Sequence, residues 1–305
     1  MPVKITAGRK FTAETKAALA AKLFKPTVDK HASFLDTDTG SYHDVYIHRI
    51  RGEMAHVSYV HEEGYDDVKF TLPVDELEAP LNPDINDRFD QYAVLAGLVL
   101  TKQLNSLIIM GRGGLGKDYT MRQALAVESM VVDEDYKMIK GHITPIAMYE
   151  LLEANSDKTI VISDTDETLT DPRHLNILEA VLDTYSERRV DWFTNKGNKS
   201  FIFTGSAIFL TNRDKSKIKS SLLSRSIVVD LKMTPQETID RMRYILPTMK
   251  DGEGLTFEQK EEVLNLIDKY KYTILDLNIR TLTKALITYD KTQDIKLVRY
   301  QICNA

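Results

Sequence analysis

The sequence predicts an α/β protein: a mostly parallel sheet flanked by helices, preceded by a small β-rich domain and followed by a helical one. Three observations carry this expectation. Between Asp87 and Thr211 short apolar runs alternate with helix-length segments, the pattern of buried parallel strands joined by helical crossovers. From Asp44 to Glu78 the apolar residues instead alternate with polar ones, and after Pro235 only helical periodicity remains. At 305 residues, 43% hydrophobic and 28% charged, the chain can bury more than one core. The expected divisions are 1–85, 86–234 and 235–305.

In chain order, Lys4, Arg9, Lys10, Lys16, Lys22, Lys25 and Lys30 crowd the N-terminal stretch against Glu14 and Asp29. This is either a solvated helix face or a nucleic-acid contact. Val45, Ile47 and Ile50 lead to the turn Arg51-Gly52-Glu53, and Ala55, Val57 and Tyr59 return, which is a hairpin pattern. A second turn at Glu62-Glu63-Gly64-Tyr65 precedes Val68–Leu72, and Val74–Leu77 closes a meander similar to an SH3-like barrel. His43, His48, His56 and His61 have no clean metal-ligand spacing and are expected on strand surfaces. Residues 79–84 carry two prolines and mark a linker.

Beyond it, Asp87–Asn105 is helical by pattern, and Ser106–Met110, Asp135–Ile139, Thr159–Ser163 and Ala207–Thr211 are strand-like. A helix from Leu175 to Ser186 leads to Arg188 and Arg189, read as a solvated pair. Glu237–Leu246, Thr256–Lys271, with Thr256 as cap, and Arg280–Tyr289 read as amphipathic helices of a C-terminal lid. The single cysteine, Cys303, excludes an intramolecular disulfide and any Cys-based zinc site, which fits a reducing, cytoplasmic setting. The longest apolar run, Tyr92–Leu100, is far too short to cross a bilayer, so no membrane span is expected. A net charge of −5 makes general attraction to a phosphate backbone a minor property.

The chemistry concentrates after the first core strand. Gly111-Arg112-Gly113-Gly114-Leu115-Gly116-Lys117-Asp118-Tyr119 matches the phosphate-binding loop G-x-x-x-x-G-K between a strand and a helix. Glycines let successive N–H groups converge on phosphate, the helix N-terminus adds positive potential, and Lys117 reaches the terminal phosphates. The position after Lys117, where Ser or Thr usually offers a hydroxyl to Mg²⁺, holds Asp118. The apolar run Thr159–Ile162 ends in Ser163-Asp164-Thr165-Asp166-Glu167. One register puts Ser163 in the metal-side position and Asp164 in the water-polarising one; the other makes Asp164 the metal-side residue.

In this order of elements the text from Asp87 to Tyr289 resembles the AAA+ ATPases, most closely those of tailed bacteriophages. That resemblance implies ATP with Mg²⁺, a sensor-1 role for Asn212 at the end of Ile208–Thr211, and an arginine-finger role for Arg225 in Leu222-Leu223-Ser224-Arg225. It also implies a sensor-2 role for Arg280 in Asn278-Ile279-Arg280. A turn residue at Asn212, a surface ion pair at Arg225 and a lid cap at Arg280 are the plain structural alternatives. A finger supplied by a neighbour implies a homo-oligomeric ring, a hexamer by resemblance, with DNA or a DNA-bound protein as the partner. For a phage-encoded chain the setting is the host cytoplasm. Gly141–Pro145, placed where pore loops occur, has no aromatic residue, which argues against a threading unfoldase.

Both departures can be one change. The family pattern takes its hydroxyl from the loop and its carboxylate from the strand; here Asp118 and Ser163 hold the same pair with positions exchanged. Asp118 and Ser163, with Asp164, are then the metal residues, and Asp164 also polarises the attacking water. The competing reading is a hydrolysis-deficient, nucleotide-gated scaffold or clamp-loader-like switch. Asp118 beside the phosphates also predicts that binding depends unusually strongly on Mg²⁺.

Overall fold

Three strands without polar interruption form the centre of the parallel sheet. The computed structural model describes residues 30–36, 41–61, 64–65, 69–77, 84–184, 187–194 and 197–304. The basic residues from Lys4 to Lys25, the turn residues Glu62 and Glu63, and residues 79–83 of the expected linker lie outside these. The described chain divides into two compact units that part between Asp87 and Arg88.

The N-terminal unit is an antiparallel meander of β1 (Lys30–Asp36), β2 (Ser41–Arg51), β3 (Met54–His61), β4 (Gly64–Tyr65) and β5 (Phe70–Pro73). Pairing runs β1-β2-β3-β4, with β5 also on β3; no β1–β5 pairing joins the edges among the described residues. Ala32, Phe34, Val45, Ile47, Ala55 and Val57 form its core, so the expected hairpin buries the residues its alternation pointed to. β1 was not anticipated. His48 Nε2 lies 2.8 Å from Ser58 Oγ, and no group of three or more potential metal ligands exists among the described residues.

In the second unit, α1 (Ile85–Leu100) enters β6 (Ser106–Met110), followed by α2 (Lys117–Val127), β7 (Tyr136–Lys140), α3 (Pro145–Ala154), β8 (Thr159–Ser163) and α4 (Pro172–Val181). A hairpin of β9 (Arg189–Thr194) and β10 (Gly197–Ile202) precedes β11 (Ser206–Thr211), α5 (Ser220–Arg225) and β12 (Ile227–Asp230). The sheet order is β12-β6-β11-β8-β7, parallel throughout. β6, β8 and β11 are buried along their whole length, which explains their continuous apolar text. The core is the expected α/β arrangement, with the glycine-rich loop directly after its first strand. All five strands end on one side, where the loops of interest gather.

A helical region follows: α6 (Pro235–Ile245), α7 (Phe257–Tyr270), α8 (Ile279–Thr292) and α9 (Ile295–Cys303). Thr256 caps α7 through a reciprocal box with Gln259, as expected, and Thr234 and Glu237 do the same for α6. Ile239, Met242, Val263, Ile267, Leu282, Leu286 and Val298 form its core. The fourth helix, α9, and edge strand β12 were not anticipated. No described helix is long and apolar enough to cross a membrane.

Arg188 corrects the expectation of a solvated pair. It is buried, donating from Nη1 to the Val181 carbonyl at 3.2 Å and from Nη2 to the Gly205 carbonyl at 2.6 Å, with its guanidinium 5.1 Å from the Phe203 ring centroid. Only Arg189 is exposed, pairing with Asp191 at 3.1 Å. The helix expected to run to Ser186 stops at Val181, where the chain turns to place this arginine. At Gly205 a Cβ would sit 2.0 Å from the Lys158 carbonyl oxygen. Gly205→Ala is therefore expected to destabilise the second unit by about 3 kcal/mol, read as a lower urea midpoint at unchanged slope; an unchanged midpoint contradicts the packing.

Candidate functional site

The loop from Gly111 to Lys117 owes its curl to residues without Cβ. Gly114 and Gly116 adopt φ of 81° and 93°, a region costly for other residues. Gly116 is the N-cap of α2 and no side chain caps this end, which borders an open cleft. Gly113, Gly114, Leu115, Gly116, Lys117, Asp118 and Tyr119 line it from the loop, together with Asp164, Asn212, Ile279 and Arg280. Buried Tyr92 on α1 anchors the helix start, its hydroxyl donating to the Lys117 carbonyl at 2.9 Å.

Lys117 is almost fully buried. Its ammonium donates to the Gly111 and Arg112 carbonyls, at 2.5 and 2.8 Å, and to Asn212 Oδ1 at 3.0 Å. Burial lowers its pKa below that of a free lysine, against the opposing pull of Asp118, Asp164 and Asp166. The loop lysine and the strand-end asparagine thus meet in the cleft.

Across the cleft, β8 delivers Ser163 and Asp164 to different places. Ser163 Oγ donates to Asp118 Oδ1 at 2.8 Å, so the residues read as an exchanged pair are in direct contact. The chain then turns sharply, with Asp164 at φ 53°, which directs its carboxylate into the cleft. Asp166 accepts from Thr211 Oγ1 at 2.6 Å and from the Asn212 N–H at 3.3 Å, tying the end of β11 to this turn. In the sequence Asp166 is one of several acids after β8, with nothing local to mark its role.

Two further contacts were missed. Lys140 Nζ, at the end of β7, lies 3.1 Å from Asp164 Oδ2 and 4.0 Å from Asp118 Oδ1. Asn278 caps α8 by accepting from the Arg280 and Thr281 N–H groups, and its side chain lies against Gly114, whose Cβ would stand 2.9 Å from it. The Ile279 N–H donates to the Gly114 carbonyl at 3.1 Å, so the start of α8 is latched to the phosphate loop. Arg280 thereby reaches the cleft, its Nη1 3.9 Å from where a Gly113 Cβ would lie.

The remaining expected residues stand apart. Arg112 points outward and pairs with Asp276 at 3.4 Å. Gly111 meets Lys117 through its carbonyl but does not line the cleft. Arg225 ends α5, donates to the Ser221 carbonyl at 3.1 Å, and does not line the cleft.

The donor set suits a hard divalent cation. Asp118 and Ser163 offer adjoining carboxylate and hydroxyl oxygens, and Mg²⁺ ordinarily takes only one or two protein ligands beside phosphate and water.

No protein-family profile matches the chain. It is 30% identical over 244 residues to the uncharacterized 36.7 kDa protein of the nrdC-mobD intergenic region of Enterobacteria phage T4, covering 73% of this chain and 75% of that one. Two mutant structures of RuvB from Thermotoga maritima cover 70% and 68% of this chain, and 67% and 63% of theirs, at 15% identity, with TM-scores of 0.46 and 0.45.

The latch predicts a local effect. In Gly114→Ala the new methyl pushes Asn278 from the loop, and the Ile279 amide is expected to exchange hydrogen at least about tenfold faster, reflecting a local opening made easier by some 1.4 kcal/mol. Gly52→Ala, whose Cβ would meet nothing within 4 Å, leaves that amide unchanged. Equal exchange in Gly114→Ala and wild type contradicts the latch.

Proposed function

We propose that this chain, which belongs to the same family as the 36.7 kDa phage T4 protein, binds ATP with Mg²⁺ in the cleft between phosphate loop and lid and hydrolyses it as an AAA+ ATPase. The observation that carries the reading is the 2.8 Å hydrogen bond between Ser163 and Asp118. It favours the register that makes Ser163 the metal-side strand residue and leaves Asp164 to act on water. The exchange of hydroxyl and carboxylate keeps the oxygen inventory intact instead of dismantling the site.

Phosphoryl transfer leaves the protein mainly positioning and charge to supply. Amides of Gly113 to Lys117 and the Lys117 ammonium hold the β- and γ-phosphates, for which Lys117 must give up its loop carbonyls. Asp118 and Ser163 hold the metal. A metal held there would supply positive charge to offset that of the phosphates. Asp164 polarises the attacking water, and Asn212 orients it from a strand end fixed by Asp166. Arg280 contacts the terminal phosphate from the lid, so bound nucleotide strengthens the α8 latch. Tyr119, exposed at the cleft edge, faces the nucleoside end.

Arg225 lies outside its own cleft, which supports a finger offered to a neighbour in a head-to-tail ring, a hexamer by family resemblance. The load we assign is DNA or a DNA-bound protein complex, with the basic residues from Lys4 to Lys25 and the β meander as the attachment module, in the cytoplasm of an infected host; Lys30 is instead paired with Asp84 and Asp87. A second reading, a nucleotide-gated scaffold or clamp-loader-like switch without hydrolysis, is favoured by one observation: Lys140 engages the Asp164 carboxylate.

Phosphate release separates the readings. Asp118→Thr leaves two hydroxyls and no metal-side carboxylate and is expected to lower turnover by about 100-fold. Asp118→Thr with Ser163→Asp restores the ordinary arrangement and recovers turnover to within about fivefold, a coupling that only contacting residues show. A double variant no better than the single one contradicts the exchange, and tight ATP binding without turnover selects the scaffold. Turnover per subunit is expected to rise with protein concentration and to fall about 10³-fold in Arg225→Ala; a concentration-independent rate contradicts the shared site.

A further inference from the structure

The end of β7 carries a cation that the proposed mechanism does not use. Lys140 is paired in register with Ser163 across the β7–β8 ladder, so the backbone fixes its root beside the metal-side residues. Its ammonium stands 3.1 Å from Asp164 and 4.0 Å from Asp118, the two carboxylates assigned to the metal and the water. At 56% side-chain exposure it is free to swing outward, whereas Lys117 is held at the base of the cleft by three oxygen acceptors. Lys137, the other lysine of the strand, pairs instead with Asp133 at 2.5 Å.

We propose that Lys140 is a built-in counter-ion that competes with the divalent metal for the Asp118–Asp164 carboxylate pair and sustains nucleotide binding when the metal is absent. The proposal rests on the reading of Asp118 as the metal-side residue. An exchanged carboxylate at the mouth of a phosphate loop repels nucleotide whenever no cation answers it. A lysine ammonium is a compact point charge on a flexible stem, suited to fill that need and to leave. A divalent ion brings twice the charge and displaces it. The strong Mg²⁺ dependence expected from Asp118 alone is accordingly softened, because the loop is never left with an unanswered anion.

This competition gives one substitution two effects of opposite sign. Lys140→Met removes the competitor, so the protein binds metal more tightly. It also removes the counter-ion, so nucleotide binds more weakly in chelator. Partly exposed pairs of this kind are worth modest energies, so each effect is expected at about three- to fivefold. A purely structural lysine would shift neither, or both in the same direction.

The experiment uses the full chain in three forms: wild type, Lys140→Met and Lys140→Arg. Free Mn²⁺ is titrated by electron paramagnetic resonance without nucleotide, and a fluorescent ADP analogue is titrated in EDTA. The expected result is tighter Mn²⁺ and weaker ADP in Lys140→Met, wild-type behaviour in Lys140→Arg, and loss of the Mn²⁺ difference when Asp118→Asn is added. Equal or weaker Mn²⁺ binding by Lys140→Met overturns the proposal, as does the absence of Mn²⁺ binding by every form. Failure of wild type to bind ADP with or without metal overturns the nucleotide reading instead, and the Mn²⁺ comparison still decides the role of Lys140.

Discussion

The Asp118 carboxylate stands beside the loop proposed to bind phosphate, and it is answered there by a hydrogen-bond donor and a cation. Ser163 donates a hydrogen bond to it, and Lys140 brings a positive charge within 4.0 Å. Both partners come from strand ends, β8 and β7, whose parallel register sets them side by side. Asp118 itself lies in the first turn of α2, where the helix N-terminus favours a negative side chain. Remove the answering groups and the same residue becomes a barrier to the ligand the loop is shaped for.

The scaffold makes this placement affordable by being stiff where the site is not. β6, β8 and β11 are buried on both faces and end together, so the loop, the Ser163–Asp164 turn and Asn212 are held by a close-packed sheet. The helical region meets this frame through the Ile279–Gly114 backbone bond, the Asn278 cap, the Arg112–Asp276 pair and the Arg241 guanidinium stacked 3.9 Å from the Phe89 ring centroid. Asn278 organises the start of α8 and at the same time lies against Gly114, so the residue that begins the lid helix also senses the shape of the phosphate loop. Helix capping and site geometry are one contact.

What could be read from the sequence follows from how each feature is encoded. The continuous apolar runs at 106–110, 159–163 and 207–211 needed burial on both faces, and that is where they lie. The turn at Arg51-Gly52-Glu53 and the cap at Thr256 were visible because local chemistry alone determines them. The β9–β10 hairpin escaped because β10 is largely exposed and polar, with Lys199 and Ser200 where a buried strand would carry apolar residues. Arg188 was misjudged because its burial depends on carbonyls of Val181 and Gly205 that only the folded chain brings together. Lys140 and Asn278 were silent for the same reason: one acquires meaning through strand register, the other through a helix start docking on a glycine distant in sequence.

In the proposed exchange Asp118 and Ser163 hold the two oxygen donors of the metal site in swapped positions. The most direct test is a crystal structure of the protein with ADP and Mg²⁺ at a resolution that defines the coordination shell. The exchange predicts both Asp118 Oδ and Ser163 Oγ in or hydrogen-bonded to that shell, with the carboxylate ligating at about 2.1 Å or through a single water. A metal held by Asp164 alone, with Asp118 turned away and Ser163 bonded only within the strand, would contradict it.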